Sequence, residues 1–114
     1  MGRRVLVVDD DALILDVTAA MLHDLGCEVV TAPCGAEALE RLEQDQGIEI
    51  LITDINMPNM DGYELVDRAR AIRSGLKVIM LSGREPGGHG LPFLRKPFFE
   101  QDLLETMRRT TGTC

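Results

Sequence analysis

Apolar residues along the chain fall into two kinds of segment. Short runs rich in β-branched residues occupy positions 3–8, 27–32, 48–53, 77–81 and 93–95, with the length and composition of buried strands. Between them, apolar residues recur at helical spacing. The first helix opens at Asp11, a side chain suited to capping a first turn. It turns Leu13, Ile14, Val17, Met21, Leu22 and Leu25 toward the core and stops at Gly26. Residues 35–46 predict a second helix with Ala36, Leu39 and Leu42 inward, ended by Gly47, and residues 63–73 a third with Leu65, Val66, Ala69 and Ile72 inward, closed by Gly75. A last helix over 100–109 carries Leu103, Leu104 and Met107 inward, and residues 110–114 are expected to fray. Strands alternating with helices imply an α/β fold, doubly wound: a parallel sheet with right-handed crossovers and helices on both faces.

The alternation fails once. Residues 83–91, GREPGGHGL, hold four glycines and one proline where a helix between the fourth and fifth strands is due. Each glycine costs roughly 1 kcal/mol relative to alanine in a helix interior, and an internal proline up to about 3 kcal/mol. Leu91, at the very end, is the segment's only large apolar residue. The fourth helix is therefore expected to be missing or reduced to a loop, and with it any dimer built on that face.

Composition bounds the answer further. At 114 residues the chain is expected to form one domain over 1–114. With 4% aromatic residues and no Trp, the core is aliphatic and no stacking surface for nucleic-acid bases is provided. Nineteen acidic against twelve basic residues give a formal charge of −7, which repels phosphate backbones and anionic membranes and favours cations. The apolar run after Arg3 and Arg4 stops at Asp9, too soon for a secretory leader, and no run approaches membrane-spanning length. Cys27, Cys34 and Cys114 are odd in number and lack ligand spacing, so reduced thiols in a cytoplasmic protein are expected.

The stretch IEILITDINMPNMDG, residues 48–62, is the centre of the chemistry. Its apolar run ends abruptly at Asp54, and the loop formers behind it, Asn56, Pro58, Asn59, Asp61 and Gly62, hold that carboxylate at the carboxyl edge of the sheet, where open α/β sheets bind ligands. All strands of a parallel sheet end on that edge, so Asp9, Asp10, Asp54, Ser82 and Lys96 meet there. If the first and third strands are neighbours, about 4.8 Å apart, Asp10 faces Asp54. Two carboxylates at that spacing repel by about 3 kcal/mol at an effective dielectric near 20, so the group either retains protons or binds a cation. Mg²⁺ suits this donor set, with a loop carbonyl just after Asp54 as a further ligand. Lys96 is placed to pair with the acids or with a bound phosphate, and the Ser82 hydroxyl with the same phosphate oxygen. Together these groups form a site for taking up a phosphoryl group as an aspartyl phosphate.

These motifs, VVDDD at 7–11, TDINMPNMDG at 53–62, MLSG at 80–83 and KPF at 96–98, resemble those of the receiver domains of bacterial two-component response regulators. The resemblance runs from Val5 to about Met107. It implies a flavodoxin-like sheet of five parallel strands in order 2-1-3-4-5. It further implies that Asp54 is the phosphoacceptor, that Asp10 binds Mg²⁺ with Asp9 supporting, and that Asn56 lends its backbone carbonyl to the metal. Ser82 falls at the switch hydroxyl, Phe93 at the switch aromatic and Lys96 at the family's lysine. The expected partner is a histidine kinase or a histidine phosphotransfer protein, acting on a monomeric signalling domain that phosphorylates itself from a donor and slowly loses the group. Nucleic acid and membrane insertion are not expected. His23 and His89 lie on the first helix and in the glycine segment, so neither is placed as a relay histidine. Two other readings are weighed: an interaction module of the same fold that is never phosphorylated, and a phosphatase of the haloacid dehalogenase type using the Asp9-x-Asp11 spacing. The second leaves Asp54 and its loop unexplained.

Overall fold

A computed structural model describes residues 3–83 and 90–112. The elements are β1 (Arg4–Val8), α1 (Ala12–Asp24), β2 (Glu28–Ala32), α2 (Gly35–Gln44), β3 (Ile48–Asp54), α3 (Gly62–Ile72), β4 (Lys77–Ser82), β5 (Phe93–Arg95) and α4 (Glu100–Thr111). All strand pairs are parallel and the order is β2-β1-β3-β4-β5, as the resemblance implies. Strand alternation divides the core. Leu6, Val8 and Leu51 face α2 and α3 beside Leu42, Leu65 and Ala69, while Val5, Val7, Ile50 and Ile52 face α1 and α4 beside Leu15, Leu22, Leu103 and Met107. Because β1 and β3 are apolar on both faces, each side of the sheet has its own core.

Two strand ends position the chemistry. β3 runs one residue further than the sequence predicts, through Asp54, and β4 one further, through Ser82. Both polar residues are thus held by the ladder itself and not by the loops behind it.

The helix faces differ from expectation in three places. On α1 the buried stripe is Leu15, Thr18 and Leu22, whereas Leu13 and Val17 are 73% and 45% exposed. The reason is that α1 is apolar nearly all round, so its sequence carries little contrast between faces and packing against β1, β2 and α4 fixes the rotation. On α2, Gly35, Ala38 and Leu42 are buried and Ala36 is exposed, and on α3 Ile72 is 40% exposed in the last turn. The fourth correction concerns α4, which continues to Thr111 where fraying was expected. The hydroxyls of Thr106, Thr110 and Thr111 each donate to the carbonyl four residues back, and Gly112 closes the helix in the left-handed conformation.

At the amino edge of the sheet, Arg73 donates to the carbonyls of Leu42, Asp45 and Ile48, satisfying acceptors at the end of α2 and tying α3 to the turn before β3. Four helices stand among the described residues, one fewer than strict alternation calls for, and Gly90 and Leu91 lie outside any helix. Residues 84–89 of the glycine segment lie outside the described residues.

Candidate functional site

The site is assembled by strand register. Val8 pairs with Thr53, and Asp54 with Leu81, so β1, β3 and β4 end side by side; the Lys96 N–H then donates to the Ser82 carbonyl at 2.8 Å. That geometry brings together all five rim residues the sequence predicts. Lys96 reaches back over the edge with its ammonium 2.8 Å from Asp9 Oδ2 and 3.3 Å from Asp54 Oδ1. Asp9 is buried, and its other oxygen accepts the Asp11 N–H at 2.9 Å. Asp10 is exposed. One carboxylate oxygen from each of Asp9, Asp10 and Asp54 lies within 4.8 Å of the others.

These contacts divide the labour among the acids. Both oxygens of Asp9 are engaged by the protein, which suits a residue that holds Lys96 in place. Asp10 is exposed and Asp54 lies buried behind it, with one ammonium against three carboxylates. Burial pushes the Asp54 carboxyl above its ordinary range; the positive charge of Lys96 works the other way, and the negative charges of Asp9 and Asp10 reinforce the rise. For Lys96, burial acts to lower its pKa, but the hydrogen bond to Asp9 and the charges of Asp54 and Asp9 outweigh it and hold the ammonium above its ordinary range. Lys96 is therefore a fixed cation. The surplus of negative oxygen donors on the open side fits Mg²⁺, which takes one or two carboxylates and keeps waters and phosphate oxygens as its remaining ligands.

The loop behind Asp54 is a closed segment. The Ile55 N–H donates to Leu81, the Gly62 N–H returns to the Ile55 carbonyl at 2.8 Å, and the Met60 N–H donates to Pro58. Asn59 adopts a left-handed φ of 72°, which Asn tolerates better than most residues. Met57 is buried in the core and Asn56 is exposed on the loop's outer side. Asp61 caps α3 by accepting the Glu64 N–H at 2.9 Å. Of the two residues expected from the resemblance to act as a switch, Ser82 is buried beside Asp54's strand, and Phe93 is half-buried, in register with Met80.

The sequence pattern marks Gly62 only as a loop former, and its role is more specific. A Cβ there would lie 2.5 Å from the Asp54 carbonyl oxygen and 2.9 Å from Ile55 Cα, both backbone atoms that no side-chain rotation can move. We expect Gly62→Ala to cost about 1–3 kcal/mol, the usual penalty for overpacking, and to displace the backbone that carries Asp54. In urea titrations its midpoint should fall at unchanged slope, and a midpoint equal to wild type would show that the approach is looser than described.

The chain is similar to known proteins in both sequence and fold. The sequence profile of the response regulator receiver domain matches residues 5–108. Among curated proteins, the two-component response regulator ARR11 of Arabidopsis thaliana is 43% identical over 83 residues, covering 72% of this chain and 16% of that protein. The chain spans half or less of ARR11 and of two transcriptional regulatory proteins of Bacillus subtilis that it matches. Among solved structures, the chemotaxis protein CheY4 of Vibrio cholerae superposes with a TM-score of 0.89 at 31% identity, covering 96% of this chain and 99% of that one. The receiver domain of the sensor histidine kinase PA1611 of Pseudomonas aeruginosa, solved with a magnesium ion coordinated in its active site cleft, gives 0.87 at 27% identity, covering 99% and 100%.

Proposed function

From the premise that this chain belongs to the response regulator receiver domains of two-component signalling systems, we propose that it is a phosphoacceptor whose Asp54 takes a phosphoryl group and thereby switches conformation. The observation that carries the reading is the placement of Asp54: the last residue of β3, buried, 3.3 Å from a fixed lysine, with a carboxylate oxygen within 4.8 Å of one from the exposed Asp10. The donor is a phosphohistidine on a histidine kinase or histidine phosphotransfer protein, or acetyl phosphate. An Asp54 carboxylate oxygen attacks phosphorus and forms an O–P bond. The P–N bond to the histidine breaks and its electron pair leaves with the imidazole; with acetyl phosphate the leaving group is acetate.

Asp10, Asp54 and the backbone carbonyl of Asn56 would hold Mg²⁺, with Asp9 supporting through Lys96; when bound, the ion neutralises charge on the phosphoryl oxygens. Lys96 supplies a second positive charge, fixed in advance by Asp9, so little reorganisation is needed as charge moves onto the phosphoryl group. The Ser82 hydroxyl, at the end of the adjoining strand, donates to a phosphoryl oxygen once one is present. That movement vacates space along β4 and β5, and Phe93, half-buried on the neighbouring strand, turns inward. Loss of the group is by water attacking phosphorus, which makes this a signalling domain with a finite on-state and not a turnover enzyme.

Leu13, Val17, Met21 and Phe98 line an apolar recess that extends to Lys96, the face a protein donor would cover in delivering its phosphoryl group to Asp54. We take residues 1–114 as one receiver domain working in the cytoplasm. Among the described residues no helix is long and apolar enough to cross a membrane. A phosphatase acting through Asp9 and Asp11 is disfavoured, because Asp9 is buried with both oxygens engaged and Asp11 caps α1. An unphosphorylated module of the same fold is disfavoured by the intact set of acceptor, acids, lysine and hydroxyl at one edge.

The test is incubation with acetyl phosphate. A hydroxylamine-labile label should appear with Mg²⁺ and be absent with chelator, and beryllofluoride should move the amide resonances of Ser82 and Phe93. An unlabelled protein that nevertheless binds Mg²⁺ would favour the interaction module.

A further inference from the structure

We infer that Gly35, at the start of α2, is a positioning residue for the metal side of the site, acting through Met60 on the loop that carries Asn56. The inference rests on the reading of Asp10, Asp54 and the Asn56 carbonyl as Mg²⁺ ligands. Gly35 is buried, directly after the turn that ends β2, whose last residue, Ala32, accepts the Asp9 N–H. Met60 lies across it. A Cβ on Gly35 would fall 2.6 Å from Met60 Sδ and 3.2 Å from both Met60 Cβ and Cγ. Rotating the methionine relieves the sulfur contact, but the Met60 Cβ is fixed to the loop backbone, so any side chain at position 35 pushes on the loop itself or drives Met60 from its half-buried seat against the core.

The loop transmits such a push because it is stiff. Its ends are joined by the Gly62–Ile55 hydrogen bond, Met60 is bonded to Pro58, and Met57 anchors it in the core on the side toward Asn56. A displacement of a few tenths of an ångström is small for a fold. It is large for Mg²⁺, which demands near-ideal octahedral geometry, and residues that only orient its ligands change affinity by about 10-fold or more when altered. Alanine is otherwise favoured at this position, since no left-handed backbone is required there and helix propensity rises. Gly35 thus sacrifices helix stability to let α2 set the height of the acceptor loop.

Mg²⁺ titrations followed by the amide resonances of Asp54 and Asn56 test this, since the chain has no Trp to report by fluorescence. We expect Gly35→Ala to bind Mg²⁺ about tenfold more weakly, with its urea midpoint in chelator lowered by less than that of Gly62→Ala, since the Met60 sulfur can rotate away and the Asp54 backbone cannot. In a Met60→Gly background, which removes the Cβ, Cγ and Sδ that the added methyl would meet, the same substitution should change affinity less than about twofold. Gly35→Ala with wild-type affinity, or an equal loss in both backgrounds, would overturn the inference. Met60→Ala alone adds no atom and keeps the test available should Gly35→Ala not fold: it is expected to weaken Mg²⁺ about twofold, and unchanged affinity would count against a role for this contact. A wild-type protein that binds no Mg²⁺ would instead overturn the ligand assignment on which the inference rests, and the inference with it.

Discussion

Asp54→Asn is expected to reduce phosphoryl uptake from acetyl phosphate by at least about 100-fold, the scale on which removing a nucleophile acts. Asp10 and Asp9 should not take over, because Asp9 is closed off by Lys96 and Asp11 and Asp10 has no lysine beside it among the described contacts. The same substitution has a second signature, in stability. Burial raises the Asp54 pKa in the folded protein, so its contribution to stability is fully present below the unfolded value of 3.8 and is lost as pH rises through the folded value. In chelator at neutral pH, Asp54→Asn should therefore be more stable than wild type, with the gap closing as the solution is brought below that range. Mg²⁺ should reverse the order by stabilising only the wild type. Urea midpoints at two pH values, with and without Mg²⁺, read all three effects. A variant less stable than wild type in chelator at neutral pH would mean that the rim does not disfavour a carboxylate.

Lys96→Met is expected to have the largest effect on the fold. It removes the one ammonium held between a fully buried Asp9 and Asp54, and breaking a buried ion pair by deleting one partner typically costs about 3–5 kcal/mol because the remaining charge is left without compensation. Lys96 retains some exposure, 16% of its side chain, so we place the loss at the lower end of that range, about 3 kcal/mol. The sign with pH is the same as for Asp54, but the range lies far higher. A lysine whose folded pKa is raised contributes fully below its unfolded value of 10.5 and loses that contribution as pH rises through the folded value, so the Lys96 contribution should be lost only in strong alkali and the gap to the methionine variant should be constant across neutral pH. A urea midpoint within error of wild type at pH 7 in chelator would show that Asp9 does not depend on this lysine.

What the sequence makes legible is the sheet and the chemistry at its edge. Both depend on strong signals: β-branched runs too apolar for anything but buried strands, and polar residues where those runs stop. Asp54, Asp10, Asp9, Ser82 and Lys96 can be brought to one rim by topology alone, since a parallel sheet sends every strand end to the same side. The helix rotations are less legible. α1 has apolar residues on all sides, so Leu13 and Val17 look like core and lie outside, while Thr18, a polar residue, is buried. Gly62 and Gly35 read as punctuation, because nothing in a one-dimensional pattern reports that another backbone or Met60 passes within a bond length or two of the missing Cβ. The split between Asp9 and Asp10 arises just past the end of β1, where Asp9 is buried against Lys96 and Asp10 is exposed, a difference that two adjacent aspartates do not signal. Arg73 looks like an ordinary surface cation at a helix end, and its three carbonyl partners come from segments far away in the chain.

The central claim is that Asp54, and no other rim acid, receives the phosphoryl group. Treating the wild-type protein with acetyl phosphate and Mg²⁺, then reducing with borohydride, converts an acyl phosphate to homoserine at the residue that held it, and peptide mass mapping locates the change. Homoserine at position 54 alone is the predicted result; homoserine at position 9, 10 or 11, or at none, would contradict the account.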